Sequence, residues 1–187
     1  MNKPRTLYVT DRKDWRKWLE KNFDKEKGIW LVYPKKSSGK ERILYNDAVE
    51  EALCFGWIDS TVKSINEESS MQRFSPRNPK SSYSQLNKER VKWLMKQNML
   101  HSTILEKAKE IAAEKFVFPK DIINAIKEDK VAWKYYNTFS DTYKRIRVAY
   151  IDVGRKRSGE FEKRLRNFIN KTKGGKQIGF GGTEKYF

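Results

Sequence analysis

The fold is decided by one stretch of ten residues, Glu51-Ala52-Leu53-Cys54-Phe55-Gly56-Trp57-Ile58-Asp59-Ser60. Its first half continues a pattern in which apolar side chains recur at helical spacing, and Gly56 suits the position just past a helix end. From Trp57 onward apolar and polar residues alternate, as they do in a β-strand. The stretch therefore predicts a helix, a glycine stop and a strand that carries Asp59.

The helix before the glycine is predicted to start at Asn46 or Asp47, and Glu50 completes a capping box with Asp47. At 100° per residue, Glu50 and Cys54 point away from the apolar face, whereas Glu51 lies at its edge. Glu51 is therefore the carboxylate that we expect to be partly enclosed.

The strand after the glycine is predicted to form a hairpin. Alternation continues through residues 57–65 and resumes in residues 71–77, and the polar segment 66–70 reads as the turn between them. A slip of one residue would move Phe74 among the charged side chains, so the pattern disfavours it, while a shift of two residues stays open. The sequence predicts an antiparallel hairpin with one apolar and one polar face.

This register places charged residues opposite each other on the polar face. Asp59 would face Arg77, which is an ordinary cross-strand ion pair. Lys63 would face Arg73, and two cations in that position destabilise a sheet unless they are solvated, splayed apart or bridged by an anion. The hairpin therefore suggests a pocket for an anion, and plain stabilisation of the sheet is the alternative.

A polar segment beyond the hairpin extends this candidate pocket. Ser84 and Asn87 precede the next predicted helix, and capping that helix is the alternative to ligand binding for both. Arginine suits bidentate binding of a carboxylate or a phosphate. The candidate ligand-binding residues are Glu51, Trp57, Asp59, Lys63, Arg73, Arg77, Ser84 and Asn87.

The composition restricts the chemistry that the chain can perform. Aromatic residues make up 13% of the 187 residues, which predicts an ordered core. The single cysteine excludes an internal disulfide and a cysteine-based zinc site, and the single histidine leaves no serine with an imidazole base. We expect neither a metal nor a cofactor. An enzyme that uses Glu51 or Asp59 as its acid or base stays open as an alternative.

The formal net charge is +17, which favours attraction to polyanions such as nucleic acid. Residues 143–176 contain twelve Lys or Arg and three Asp or Glu, so over half of the excess charge lies there. These helices could contact nucleic acid, or they could simply carry a solvated basic face. No recognisable RNA-binding or DNA-binding motif supports the first interpretation.

The order of the predicted elements indicates an α+β fold, with a small antiparallel sheet and packed helices followed by an all-helical subdomain. The α+β domain is expected over residues 1–116, the basic helical subdomain over 117–172 and a flexible, glycine-containing tail over 173–187. No segment contains the roughly 20 apolar residues of a membrane span. The first residues lead into charged sequence without an apolar signal region, so the expected compartment is the cytoplasm.

The motifs described above resemble those of the YdeI/OmpD-associated family, also called bacteriocin-protection proteins. The similarity rests on Glu51-Ala52-Leu53, Gly56-Trp57-Ile58-Asp59, Phe74-Ser75-Pro76-Arg77, Ser82-Tyr83-Ser84 and Asn87, with a weaker match around residues 117–172. Tyr83 departs from the family's usual tryptophan, and Asn98 stands where a glycine often precedes the methionine. The resemblance implies a bacterial protein of largely unassigned biochemistry, with a link to envelope stress or bacteriocin protection.

Overall fold

The computed structural model describes residues 4–179 and 181–187, and these form an α+β protein, as predicted. In chain order the elements are β1 (Thr6–Leu7), α1 (Arg12–Asn22), β2 (Ile29–Pro34), α2 (Tyr45–Cys54), β3 (Trp57–Asn66), β4 (Ser69–Pro76), α3 (Gln85–Lys96), α4 (Leu105–Ala113), α5 (Lys120–Glu128), α6 (Lys130–Thr138), α7 (Asp141–Val153) and α8 (Glu160–Lys173).

The chain divides into two compact units. The first runs to Ser82 and includes Val91–Ile111, and the second contains Tyr83–Arg90 and the residues from Ala112 onward. The boundaries expected near residues 116 and 172 stay predictions. Among the described residues, no helix is both long enough and apolar enough to cross a membrane.

The first unit is built on a four-stranded sheet in the order β1-β2-β4-β3. The short β1 pairs with β2 in parallel, and the other neighbours are antiparallel, so the sheet is mixed. One face, which we call the inner face, carries Ile29, Leu31 and Phe74, whose side chains are at most 2% exposed. The Trp15 ring of α1 packs edge-on against Phe74 at 5.5 Å, so the helical layer covers this face. On the opposite, outer face Trp30 of β2 lies directly beside Arg73 of β4.

The predicted hairpin forms, but its predicted register is wrong. Asp59 pairs with Phe74 instead of Arg77, and Lys63 pairs with Met71 instead of Arg73. One cause is a turn shorter than expected, because the strands continue to Asn66 and Ser69.

A side chain explains the tight turn. The Asn66 side-chain oxygen accepts a hydrogen bond from the Glu68 backbone N–H at 3.0 Å. Asparagine commonly stabilises turns by bonding to its own backbone two residues further on. The hairpin can therefore reverse over two residues, Glu67 and Glu68, instead of five.

The second cause of the altered register is two irregularities in the strand pairing, one between Ser64 and Asn66 and one, a β-bulge, between Asp59 and Val62. From Asp59 to Val62 the chain of β3 advances by three residues, while its partner advances by two, from Phe74 to Gln72. A bulge of this kind shifts the alternation of side chains by one position. Asp59 therefore lies on the inner face and Lys63 on the outer face, which corrects the prediction of one common polar face.

The predicted glycine stop is confirmed. The helix α2 ends at Cys54, and Gly56 has a φ of 73°, in the left-handed region that favours glycine. A Cβ atom at this position would lie 3.2 Å from a methyl carbon of Ile104. Gly56 thus allows both the turn into β3 and the close approach of a neighbouring segment.

The second unit has its own apolar core. Its buried side chains come from α5, α6, α7 and α8 and the segment between α6 and α7: Ile122, Ile126, Tyr136, Phe139, Tyr143, Val148, Ile151 and Phe168. Residues after α8 pack on it, because the Tyr143 hydroxyl accepts a hydrogen bond from the Ile178 N–H at 2.8 Å and the Phe187 ring lies 5.0 Å away. The mobility of residues 173–187 stays a prediction, and Phe180 in that segment lies outside the described residues.

Candidate ligand-binding site

The predicted site residues lie in several different environments. Glu51 is 1% exposed, and its two carboxylate oxygens accept hydrogen bonds from Arg12 and, at 2.8 Å, from Arg16. Glu50 is fully buried and accepts from Arg12 at 2.8 Å, and Cys54 is fully buried as well, so the prediction that these two residues point away from the apolar face is wrong. Both arginines belong to α1, which packs along α2 and encloses the two glutamates.

This ion-pair cluster is suited to joining two helices. A general base needs a carboxylate oxygen that its substrate can reach. Each carboxylate oxygen of Glu51 already accepts a hydrogen bond from an arginine. The nearby Cys54 thiol is also unsuited to chemistry, because burial and the charge of Glu51 raise its pKa to about 12.

Trp57 and Arg77 hold the ends of the hairpin in place. The indole N–H of Trp57 donates to the Phe23 carbonyl at 3.0 Å, and the residue is 1% exposed. The Arg77 guanidinium donates to the Ser81 hydroxyl at 3.2 Å and to the Ser82 carbonyl at 3.0 Å. These contacts position the backbone before β3 and after β4.

Ser84 and Asn87 belong to the second unit. The Ser84 hydroxyl accepts a hydrogen bond from the Asn87 backbone N–H at 3.3 Å, at the start of α3. The Asn87 side-chain oxygen accepts from Arg90 at 2.9 Å. The capping role that the sequence left open for Ser84 is therefore observed.

Lys63 and Arg73 share the outer face of the sheet. The Lys63 ammonium lies 5.1 Å from the centre of the Trp30 ring. Arg73 pairs with Trp30 from the other neighbouring strand, and its guanidinium donates to the Lys27 carbonyl at 3.5 Å. Lys63 thus lies over the Trp30 ring and Arg73 is the strand partner of Trp30, in place of the direct Lys63–Arg73 pairing that the sequence suggested.

Asp59 takes part in a polar network at the inner face. One of its oxygens accepts hydrogen bonds from the Tyr45 hydroxyl at 2.8 Å and from the Gln72 amide at 2.7 Å. Tyr45 and Gln72 line a pocket of about 210 Å³, which we call the tyrosine pocket. Its lining residues are Tyr33, Arg42, Leu44, Tyr45, Val62, Ser70 and Gln72.

The bulge in β3 helps to build this pocket. Because the alternation shifts after Asp59, Val62 faces inward opposite Gln72 and forms part of the wall. Tyr33 and Ser70 are direct partners across β2 and β4. The remaining wall comes from the segment that leads into α2.

Tyr33 is the distinctive group of the tyrosine pocket. The residue is 8% exposed, and its hydroxyl has no hydrogen-bond partner among the described residues. Burial raises the pKa of Tyr33, the nearby charges of Tyr45 and Asp59 raise it further, and Arg42 opposes the shift. The hydroxyl therefore stays protonated at neutral pH and can donate a hydrogen bond.

Arg42 places a positive charge at the pocket. One of its nitrogens donates to the Pro34 carbonyl at 2.8 Å. Within the described part of the chain no carboxylate lies in ion-pair distance of Arg42. A guanidinium carries five N–H donors, so further donors are left for a ligand.

Sequence reasoning missed Tyr33, Arg42, Tyr45 and Gln72 as site residues. Tyr33 carried a weak signal, because it is the one hydroxyl-bearing side chain in the apolar run that forms β2. Arg42 gave none, since it lies in a segment without periodicity. In the described residues, no three His, Cys, Asp or Glu side chains are grouped as a metal site would require.

Comparison with known families divides the chain into two matched regions. Residues 7–107, more than half of the chain, match the model of a family described as Domain of unknown function (DUF8412). Residues 115–175 match the model described as Bacteriocin-protection, YdeI or OmpD-Associated. No curated protein and no solved structure was found to match.

The family that the sequence motifs resembled matches a different region of the chain from the motifs themselves. The motifs between Glu51 and Asn87 lie within the first region, whereas the family that they resembled matches the carboxy-terminal helices. The tyrosine pocket lies entirely within residues 7–107. The resemblance to the YdeI/OmpD-associated family is confirmed by the match over residues 115–175, and the chain belongs to the DUF8412 family through the larger region.

Proposed function

We propose that the protein binds a small carboxylate in the tyrosine pocket. The observation that carries this proposal is the buried Tyr33 hydroxyl. Tyr33 lines the pocket, and its hydroxyl has no hydrogen-bond partner among the described residues. Buried polar groups are nearly always hydrogen-bonded, so an unsatisfied donor beside a cavity indicates where an acceptor would bind. Arg42 supplies the positive charge that such an acceptor would need.

The surrounding charges favour a single negative charge on the ligand. The Asp59 carboxylate accepts hydrogen bonds from Tyr45 and Gln72 of the pocket wall, and its negative charge repels anions in the pocket. Arg42 can offset one added negative charge, but a phosphate dianion would bring two. A monocarboxylate therefore fits better than a phosphate ester.

The size and lining of the pocket restrict the ligand further. A volume of about 210 Å³ is somewhat larger than the roughly 150 Å³ of a cavity that binds benzene. Leu44 and Val62 offer apolar contacts, while Ser70 and Gln72 offer hydrogen bonds. The expected ligand is a compact carboxylic acid with an apolar or hydroxylated body.

The proposal is tested by calorimetric titration of the protein with acetate, lactate and benzoate. At least one should bind, and Tyr33→Phe and Arg42→Gln should each lower its affinity about tenfold or more, because each removes a hydrogen bond to a charged group. Lys36→Gln is a matched control, since it removes one positive charge from an exposed loop in the same unit. Absence of binding to all three acids would refute the proposal, as would equal affinities of Arg42→Gln and Lys36→Gln.

The interpretation of residues 143–176 as a nucleic-acid surface has less support. Several of their cations are engaged within the second unit: Arg145 with Glu89, Arg155 with Asp121 and Asp152, Arg164 with Glu160, and Lys173 with Asp129. Such pairing favours a solvated basic face. The link to envelope stress or bacteriocin protection and the cytoplasmic location stay predictions.

A further inference from the structure

The outer face of the sheet carries a strip of positive charge that the tyrosine pocket does not use. An open groove of about 450 Å³ there is lined by Arg5, Lys25, Glu26, Lys27, Gly28, Trp30 and Arg73. Lys63 extends the strip from β3, since its ammonium lies over the Trp30 ring. This set, which we call the basic strip, contains five cations and one acid.

The single acid of the basic strip is already neutralised. Glu26 forms an ion pair with Arg5. Lys25, Lys27, Lys63 and Arg73 form no ion pair with any carboxylate in the part of the chain that the structure describes. Four positive charges therefore face solvent around one surface, which is an arrangement that favours a polyanion over a neutral partner.

Trp30 gives the basic strip an aromatic surface. The residue is half-buried at the centre of the outer face, between its strand partners Thr6 and Arg73. The Arg73 guanidinium lies across Gly28, where an added Cβ atom would meet its nitrogens at 3.2 and 3.3 Å. Glycine at that position thus lets the Arg73 guanidinium lie close to the backbone just before β2.

We propose that the basic strip binds single-stranded nucleic acid, with a base stacked on Trp30 and the flanking phosphates held by Lys27, Lys63 and Arg73. Single-strand-binding surfaces combine a cationic groove with aromatic side chains on which bases stack. A stacked base is held more strongly than an exposed ammonium over the same ring. A base would therefore displace Lys63 from the ring, and its ammonium could then contact a phosphate.

A double helix fits this surface less well. Its bases are stacked on each other inside the duplex and cannot reach Trp30 without unstacking, whereas the bases of a single strand are accessible. Charge alone would give no preference between the two forms. A preference for single strands is therefore the signature of the stacking contact.

The test is fluorescence anisotropy with labelled oligothymidylate of about 16 nucleotides, the largest site of one single-strand-binding fold. The wild-type protein should bind at low salt, and the double variant Lys63→Gln/Arg73→Gln should bind about tenfold more weakly or worse. The slope of the logarithm of its binding constant against the logarithm of the salt concentration should become less steep by about 1.4, since each lost phosphate contact contributes about 0.7. Both side chains are exposed, so the variant is expected to fold normally, and thermal unfolding checks this.

Matched variants separate this surface from the general charge of the protein. Lys36→Gln/Lys40→Gln removes two exposed charges from a loop of the same unit and should change the affinity by less than about twofold. Trp30→Leu should weaken binding about tenfold while leaving the salt slope unchanged, because stacking releases no counterion.

Four results would overturn the proposal. They are no binding at low salt, equal affinity for a duplex of the same length, a loss of affinity in the loop control equal to that in Lys63→Gln/Arg73→Gln, or a larger loss of affinity in Arg166→Gln/Lys171→Gln. The last of these would place the contact on α8 in the second unit. The proposal is independent of the tyrosine pocket, because none of the variants alters a residue that lines it.

Discussion

The substitution Tyr33→Phe should stabilise the unliganded protein. It removes only the hydroxyl, which is buried and has no hydrogen-bond partner among the described residues. Burial of an unsatisfied hydroxyl costs about 1–3 kcal/mol, and the ring itself keeps its packing. We therefore expect the free energy of unfolding to rise by about 1 kcal/mol.

The change is measurable by thermal or urea unfolding. For a chain of this length, about 1 kcal/mol corresponds to an increase of about 2–4 °C in the melting temperature. Tyr45→Phe is the matched control, because its hydroxyl donates to the Asp59 carboxylate at 2.8 Å. Removal of that bond should lower the free energy of unfolding by about 1 kcal/mol.

The alkaline side of the pH profile provides a second measurement on the same variant. Burial raises the pKa of Tyr33 in the folded state, so the unfolded chain loses this proton first. Above a pH of about 10, the ionisation of an unfolded tyrosine favours unfolding. The stability advantage of Tyr33→Phe should therefore grow as the pH rises beyond that value.

A loss of stability in Tyr33→Phe would refute the reasoning, since it would show that the hydroxyl is satisfied in the folded protein. The same substitution should weaken carboxylate binding, so it should make the protein more stable and a poorer binder at once. A packing defect could not produce this combination. It would weaken both properties.

Three further predictions concern the rest of the first unit. Arg12→Ala should lower the free energy of unfolding by about 3 kcal/mol in urea titrations, because it removes the guanidinium that donates to the fully buried Glu50 carboxylate. Lys13→Ala, an exposed neighbour on α1, should change the free energy of unfolding by less than about 0.5 kcal/mol. Gly56→Ala should cost about 1–2 kcal/mol in the same assay, since φ is 73° and the added Cβ meets a neighbour at 3.2 Å, and an unchanged midpoint would contradict that backbone conformation. The Cys54 thiol, whose pKa is about 12, should not react with a disulfide reagent at pH 8 until the protein unfolds, and rapid reaction of the native protein would show that the thiol is accessible.

Local features of the fold were predictable from the sequence. The glycine stop at Gly56 follows from the need for a left-handed residue after a helix, and the Ser84 cap follows from the spacing of polar side chains at a helix start. The enclosure of Glu51 followed from its position at the edge of the helical face, whereas the same argument did not predict the burial of Glu50 beside it. These features depend on neighbouring residues along the chain, where periodicity is informative.

The register of the hairpin could not be predicted from the alternation of polar and apolar residues. Alternation of side chains cannot reveal a bulge, because Ser60 and Thr61 are both polar and fit either face. The tyrosine pocket could not be predicted from this alternation either, since Tyr33 and Gln72 come together only when β2 pairs with β4. A site assembled across strands requires the register to be known first.

The bulge at Ser60 and Thr61 lets β3 contain one more residue than its partner strand between two pairs that share the inner face. Both side chains are exposed, so substitutions there leave the two faces of the sheet as they are. Loss of one of them would leave two steps on each strand between the Asp59–Phe74 and Val62–Gln72 pairs, so the pairing would become regular with Val62 still inward and Lys63 still outward. Homologous chains could therefore vary in composition at these two positions, and even lack one of them, while Val62 stays in the wall of the tyrosine pocket and Lys63 stays in the basic strip.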